Sequence, residues 1–286
     1  MPRFLSYDAT ELAYHVLGSG PPLVCLPGGP ARASSYLGDL GGLGQRRTLI
    51  RLDLRGSGES AVPDDPATYR CDRLVDDVEA FREHLGLERM DLLAHSAAGN
   101  LAVLYAARFP QRLARLVLVT PGLRAVGLDP VGFAEAVAAR SGEWWYPRAK
   151  EALDAWEEAA ARKADPAEVA PLRVAAAPFS YGRWDERSRS HAENEQWELA
   201  AAALTGFYAD FTPDVAAVRN GLATLDVPVL ILAGELDPVP TPAAAAQLAA
   251  FFPHAEVVVQ PGAAHYPWID NPIRFREAVL AFLGDA

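Results

Sequence analysis

A chain of 286 residues, 50% of them hydrophobic, can form one large domain, or a domain with an insert, around a core buried on both faces of a sheet. A net charge of −11 and a pI near 5.0 count against nucleic acid or an anionic membrane as a partner. No run approaches the ~18 unbroken apolar residues of a membrane span. Residues Met1 to Tyr14 mix charge and polarity, and Cys25 and Cys71 make no disulfide framework, so a cytoplasmic location is expected.

Two strands are predicted at residues 4–7 and 11–16, and a third, more apolar, at 23–26. The turn Leu26-Pro27-Gly28-Gly29-Pro30 follows the third. A Gly-Gly turn at a strand end can aim backbone N–H groups at an oxyanion; Gly29 is the preferred donor and Gly28 the alternative. A fourth strand, 48–53, runs into Asp53-Leu54-Arg55-Gly56-Ser57-Gly58-Glu59-Ser60-Ala61. Gly56-x-Gly58-x-x-Ala61 imitates a dinucleotide fingerprint, but that motif needs a helix to open at once, so that its N-terminus meets the pyrophosphate. Here Pro63, Asp64, Asp65 and Pro66 intervene, and helix resumes only near Asp72. Nucleotide binding is rejected, and the loop reads as a structural turn held by Asp53 and Arg55.

After a helix at 74–84, Met90-Asp91-Leu92-Leu93-Ala94-His95-Ser96-Ala97-Ala98-Gly99-Asn100-Leu101 joins a strand, 90–94, to a helix, 97–109. A serine on so tight a strand-to-helix turn projects its hydroxyl above the sheet edge, with room only for small neighbours. The turn also sets Ser96 at a helix N-terminus, where unpaired N–H groups favour a developing negative charge. Taken alone, a capping serine reads the same way. The N–H of Ala97 is the second expected oxyanion donor.

A strand at 116–119 is followed by a change of rhythm. Residues 123–212 carry no convincing strand and several helical segments, and are read as a helical cap inserted into a core formed by 1–122 and 213–286. Asp129-Pro130 and Asp165-Pro166 each look like a capping side chain followed by proline at the first helical position. Leu153, Trp156 and Ala160 share one helical face. The polar run Asp185-Glu186-Arg187-Ser188-Arg189-Ser190 is expected to link two helices. Trp144, Trp145, Trp156, Trp184 and Trp197 all fall in this stretch; most are assigned to the cap's own core and a few to the catalytic edge.

The last part returns to alternation, with strands at 229–233 and 256–260 and helices at 243–252 and 273–283. Thr241-Pro242 and Asn271-Pro272 are good helix starts. Glu235-Leu236-Asp237-Pro238 follows one strand, and Pro261-Gly262-Ala263-Ala264-His265-Tyr266-Pro267-Trp268 the other. The eight strand candidates imply an α/β fold: a mostly parallel eight-stranded sheet with helices on both faces. Ser96, an acid and a histidine, each just past a strand, would gather at its carboxyl edge. Asp237 is preferred to Glu235 because it lies farther past the strand. Of the histidines only His265 stands on a loop at that edge after the acid, while His95 should point away from Ser96. No His-Glu-x-x-His or Cys-x-x-Cys spacing exists, so neither metal nor cofactor is expected.

With these residues placed, the chain resembles the α/β-hydrolase fold serine hydrolases over nearly its whole length, and among them the proline iminopeptidase group. That group reads His-Gly-Gly-Pro-Gly, Asp-x-Arg-Gly-x-Gly-x-Ser and Gly-x-Ser-x-Gly-Gly. The counterparts here are Pro27-Gly28-Gly29-Pro30-Ala31, Asp53-Leu54-Arg55-Gly56-Ser57-Gly58-Glu59-Ser60 and Ala94-His95-Ser96-Ala97-Ala98-Gly99. The resemblance implies Ser96 as nucleophile, His265 as base, Asp237 as its orienting acid, and the N–H groups of Gly29 and Ala97 as oxyanion hole. It also implies hydrolysis of a small molecule or short peptide with an N-terminal aminoacyl group. A carboxylesterase, thioesterase or lactonase acting on a neutral acyl compound is the alternative, and a non-catalytic ligand receptor a third reading.

Three departures bear on substrate. Pro27 replaces the histidine, Ala31 the last glycine, and Pro238 stands where some of these aminopeptidases carry an acid that helps hold the free amine. Glu193, Glu195 and Glu198 are then candidate amine partners, Glu195 first; a solvated helical face is the competing reading. Trp197 is expected to wall the pocket. Nothing in the residues specifies an oligomeric state.

Overall fold

The computed structural model describes residues 1–284. Its strands are β1 (Arg3–Leu5), β2 (Glu11–Gly18), β3 (Pro22–Leu26), β4 (Thr48–Leu52), β5 (Met90–His95), β6 (Leu113–Val119), β7 (Val229–Gly234) and β8 (Ala255–Gln260). They form one eight-stranded sheet in the order β1-β2-β4-β3-β5-β6-β7-β8. The β1–β2 and β2–β4 pairings are antiparallel, and every pairing from β4 to β8 is parallel. The expected α/β architecture is therefore present. β1 stops at Leu5 rather than reaching Tyr7, because the chain turns there: Ser6 N–H donates to Thr10 C=O and Ala9 N–H to Ser6 C=O.

Side chains alternate across the parallel strands, so each strand feeds two cores. Val24, Leu26, Leu92 and Ala94 pack on one face with α1 (Leu74–His84) and α2 (Ala98–Arg108). Leu23, Cys25 and Leu93 pack on the other, against the C-terminal helix. Between β6 and β7 come α3 (Phe133–Ala138), α4 (Tyr146–Ala161), α5 (Pro166–Ala176), α6 (Glu186–Glu198), α7 (Ala201–Phe207) and α8 (Val215–Ala223). The remaining helices are α9 (Pro242–Ala249), α10 (Pro267–Asp270) and α11 (Pro272–Leu283). Thr241, Asn271 and Asp165 each accept a backbone N–H at the start of a helix whose first residue is proline. No helix among the described residues is long and apolar enough to cross a membrane.

The chain departs from its local sequence pattern at two places. Asp129-Pro130 does not start a helix: α3 begins only at Phe133, after Gly132 at φ 76°, while Thr241 Oγ1 donates to Val131 C=O and ties this loop to the core. The run 185–190 is not a link but the beginning of α6. Asp185 accepts the Ser188 N–H, and Ser188 Oγ accepts the Asp185 N–H, a capping box that starts a helix despite the polarity of the run.

The loop that imitates a nucleotide motif is held by charge. Arg55 is fully buried and donates twice to Asp77 at 2.6 Å and also to Asp8, while Asp53 accepts the N–H groups of Ser34 and Glu59. Arg55→Ala should cost about 3–5 kcal/mol of stability in a urea titration, because it leaves the Asp77 carboxylate buried without its cation. A midpoint unchanged from wild type would mean that Asp77 is satisfied without Arg55.

Candidate active site

The sheet order reverses around β3: β4 lies on one side of it and β5 on the other. Such a switch point leaves a crevice beyond the carboxyl ends of the strands. Leu26 of β3 is in register with Ala94 of β5, so Gly28 and Gly29 emerge beside Ser96. The approach is so close that a Cβ on Gly28 would lie 2.7 Å from Ser96 Cβ. Gly29 has φ +116°, a conformation that a larger side chain would resist.

Ser96 itself sits at φ +54°, left-handed backbone that a non-glycine residue adopts only where its surroundings enforce it. Here they do. Its N–H donates to Val119 C=O, and its C=O accepts both Gly99 N–H and Gly122 N–H. The hydroxyl is thereby turned toward His265, with Oγ 2.8 Å from Nε2. On the other side of the ring, Nδ1 lies 2.9 Å from Asp237 Oδ2. A carboxylate only accepts, so Nδ1 carries the proton and Nε2 is the acceptor for the Ser96 hydroxyl. Asp237 is buried, and its second oxygen accepts the Val239 N–H. Glu235 is turned away, accepting the Gly262 N–H instead.

The imidazole of His265 is largely withdrawn from solvent, which alone would push its pKa down. The charge of Asp237 and the hydrogen bond to it outweigh burial and hold the pKa above the ordinary value near 6.5. Among the described residues the N–H groups of Gly29 and Ala97 meet no protein acceptor. The Gly28 N–H is already committed, donating to Tyr36 Oη at 2.7 Å. Of the two glycines, the structure thus leaves only the N–H of Gly29 without a protein acceptor.

The ring of His95 turns to Tyr36 and to the backbone of His265 rather than to the Ser96 hydroxyl, and so joins the parts of the site. Its Nε2 is 2.9 Å from the His265 carbonyl, which can only accept, so Nε2 carries the proton. Its Nδ1 then accepts from Tyr36 Oη at 2.7 Å. Burial, and after it the neighbouring His265, hold His95 well below its ordinary pKa, so it stays neutral. The chain Gly28–Tyr36–His95–His265 couples the loop after β3 to the backbone of the histidine. No sequence signal distinguishes such a bridging histidine from any other core histidine.

These features agree with a family model for the alpha/beta hydrolase fold, which matches residues 21–272. The chain belongs to the alpha/beta hydrolase fold family. It is 39% identical over 122 residues to a proline iminopeptidase of Lactobacillus helveticus, a match covering 40% of this chain and 40% of that protein. It is 34% identical, again over 122 residues, to a cis-3-alkyl-4-alkyloxetan-2-one decarboxylase of Shewanella oneidensis, covering 42% of this chain and 38% of the relative. These matches therefore span well under half the length of either curated relative. A solved thermophilic esterase from Thermogutta terrifontis superposes with a TM-score of 0.70 at 25% identity, covering 99% of this chain and 97% of that one.

In this α/β-hydrolase fold the crevice opens into a cavity of about 390 Å³, bounded by Ser96, Asp237 and His265 on one side and by the β6–β7 helices on the other. Phe133, Trp156, Phe179, Tyr181, Tyr208 and Tyr266 supply its aromatic wall. Trp197 does not: it is 82% exposed and lies outside the cavity. Glu195 faces inward, and a residue two further along a helix of 3.6 residues per turn points about 200° away. Trp145 is buried against Phe179, whereas Trp144 is 75% exposed. Sequence reading missed Trp156 as a wall residue, although its helical face was visible, and missed Arg173 altogether.

Glu195 does line the cavity, but it is not a vacant carboxylate. Its Oε1 accepts from Arg173 Nη2 at 2.6 Å, and its Oε2 lies 3.6 Å from Arg32 Nη1. Glu198 accepts from Arg32 Nε at 2.7 Å and from Ser35 Oγ, while Glu193 is exposed. Among the described residues no group of three or more His, Cys, Asp or Glu side chains is arranged to hold a metal ion.

Proposed function

We propose that this protein is a serine hydrolase that cleaves a small ester or amide through an acyl-enzyme. The observation that carries the reading is the continuous hydrogen-bonded line from Ser96 Oγ through His265 to Asp237, at 2.8 and 2.9 Å. As Ser96 Oγ attacks the substrate carbonyl, His265 Nε2 takes the hydroxyl proton, and Asp237 keeps Nδ1–H oriented and stabilises the imidazolium. The N–H groups of Gly29 and Ala97 receive the oxyanion. Collapse breaks the bond to the leaving group, which takes the proton from Nε2. Water, activated by the same nitrogen, then attacks the acyl carbon and releases Ser96.

A fluorophosphonate probe tests the reading: it should attach to Ser96, located by peptide mass spectrometry, and labelling should vanish in Ser96→Ala. Attachment at a different serine would sink it.

Similarity to a proline iminopeptidase supports an aminoacyl amide as substrate. Geometry favours the second reading, an esterase or related acyl hydrolase, because both oxygens of Glu195 already face guanidinium groups and Pro238 provides no carboxylate. Turnover of ethyl esters against aminoacyl amides of matched size separates the two.

The pH profile has a definite sign. Nε2 must be unprotonated to accept the serine proton, so activity should rise as pH climbs through the His265 pKa and then level off. Because that pKa is raised, the midpoint of kcat/KM should lie above 6.5. A midpoint below 6.5 would contradict an imidazole held by an ionised Asp237.

A further inference from the structure

We propose that Arg173 is the specificity-determining residue of the cavity and selects substrates carrying a carboxylate a few bonds from the scissile carbonyl. The inference deepens the serine-hydrolase reading and rests on it. Arg173 lies on α5, lines the cavity and keeps 18% of its side chain exposed. A guanidinium has five N–H donors, and in Arg173 only Nη2 is engaged, donating to Glu195 Oε1 at 2.6 Å and to Gly29 C=O at 3.3 Å. Among the described residues, Nε and Nη1 make no hydrogen bond. The group lies over the Trp156 ring with Cζ 5.5 Å from its centroid, which holds its plane.

The charges around it discriminate between ligands. Arg32 and Arg173 stand against Glu195 and Glu198, and these four groups cancel in net charge. A substrate ammonium at Glu195 would meet two guanidinium groups. A substrate carboxylate on the spare donors of Arg173 meets only Glu195 as a like charge, and Glu195 has Arg32 behind it. The other anion bounding the cavity, Asp237, is buried and occupied by His265 and Val239.

Position sets the reach. Arg173 donates to the carbonyl of Gly29, the residue whose N–H is assigned to the oxyanion, and it lines the same cavity as Ser96. With Arg173 and Ser96 lining one cavity, and both against the Gly28-Gly29 turn, the substrate class is the half-ester, or half-amide, of a short dicarboxylic acid.

Ser96→Ala protein, titrated calorimetrically at pH 7.5, reads binding without turnover. The ligands are monoethyl succinate and ethyl 4-methylpentanoate, its uncharged shape analogue. The half-ester should bind roughly 10- to 100-fold tighter, the worth of a charge-assisted hydrogen bond, and adding Arg173→Met should remove most of that preference. Equal binding of the two ligands overturns the proposal. So does a loss in Arg173→Met shared equally by both, since Arg173 would then merely brace Gly29. Glu195→Gln removes the competing carboxylate and should strengthen the half-ester preference, a readout that survives if the Arg173 variant does not fold. A weakened preference in Glu195→Gln overturns the proposal too. Absence of fluorophosphonate labelling at Ser96, with half-ester binding intact, would defeat the serine-hydrolase reading and leave the carboxylate site standing, so the two failures are distinct.

Discussion

Ser96→Ala should lower kcat by about 10³-fold or more, with the thermal unfolding midpoint close to that of wild type. The size follows from what the hydroxyl does and what remains without it. His265 and the two N–H groups stay in place, so water can still be polarised over a bound substrate, but no acyl-enzyme can form. Little structural loss is expected, because the turn is held by backbone groups: Ser96 N–H to Val119, and Gly99 and Gly122 N–H to Ser96 C=O. An alanine at φ +54° suffers the same strain as the serine it replaces. Single-turnover kinetics on an activated ester check the prediction, and a variant retaining a tenth of wild-type activity would place the nucleophile elsewhere.

Asp237→Asn should cost about 10⁴-fold in rate with the fold intact, the loss seen when a triad acid becomes an amide. An amide can offer Nδ1 a donor as readily as an acceptor, so His265 is freed to take the tautomer that carries its proton on Nε2, where it cannot accept from Ser96. The same change removes the charge that holds the His265 pKa up against burial. The midpoint of the residual activity should therefore move to lower pH than in wild type. This second readout separates an orienting acid from a structural one. Near-normal turnover with an unmoved midpoint would shift the role to another acid, although Glu235, bonded to Gly262, is not positioned for it.

Much of the fold could be read in advance because period and punctuation act locally. α1 occupies the residues expected of it, and α9 and α11 open at the anticipated Thr-Pro and Asn-Pro pairs, since a cap and a fixed proline φ are properties of adjacent residues. The same logic failed at 185–190. A highly polar run looks like a link, yet a four-residue capping box is enough to start a helix there. It failed again at Asp129-Pro130, where a tie to Thr241 across more than a hundred residues outweighs the local signal.

By itself the sequence determined the order of the strands along the chain and the kind of residue at each strand end. Ser96, Asp237, His265 and the Gly28-Gly29 turn were legible because tight turns at strand ends admit few residue types. Tertiary structure alone decided which of these groups are still open to a substrate. Tyr36 takes the N–H of Gly28 and leaves that of Gly29, though nothing near either glycine says so. Glu195 meets Arg173 and Arg32, which lie 22 and 163 positions away along the chain, and so a carboxylate free in the sequence becomes one already paired. Trp197 turns to solvent while Trp156 turns to the cavity, a choice made by how each helix rolls against its neighbours. Local rules fix what each segment is, whereas pairing and helix roll depend on contacts between segments far apart in the chain, and it is those contacts that shape the substrate side of the site.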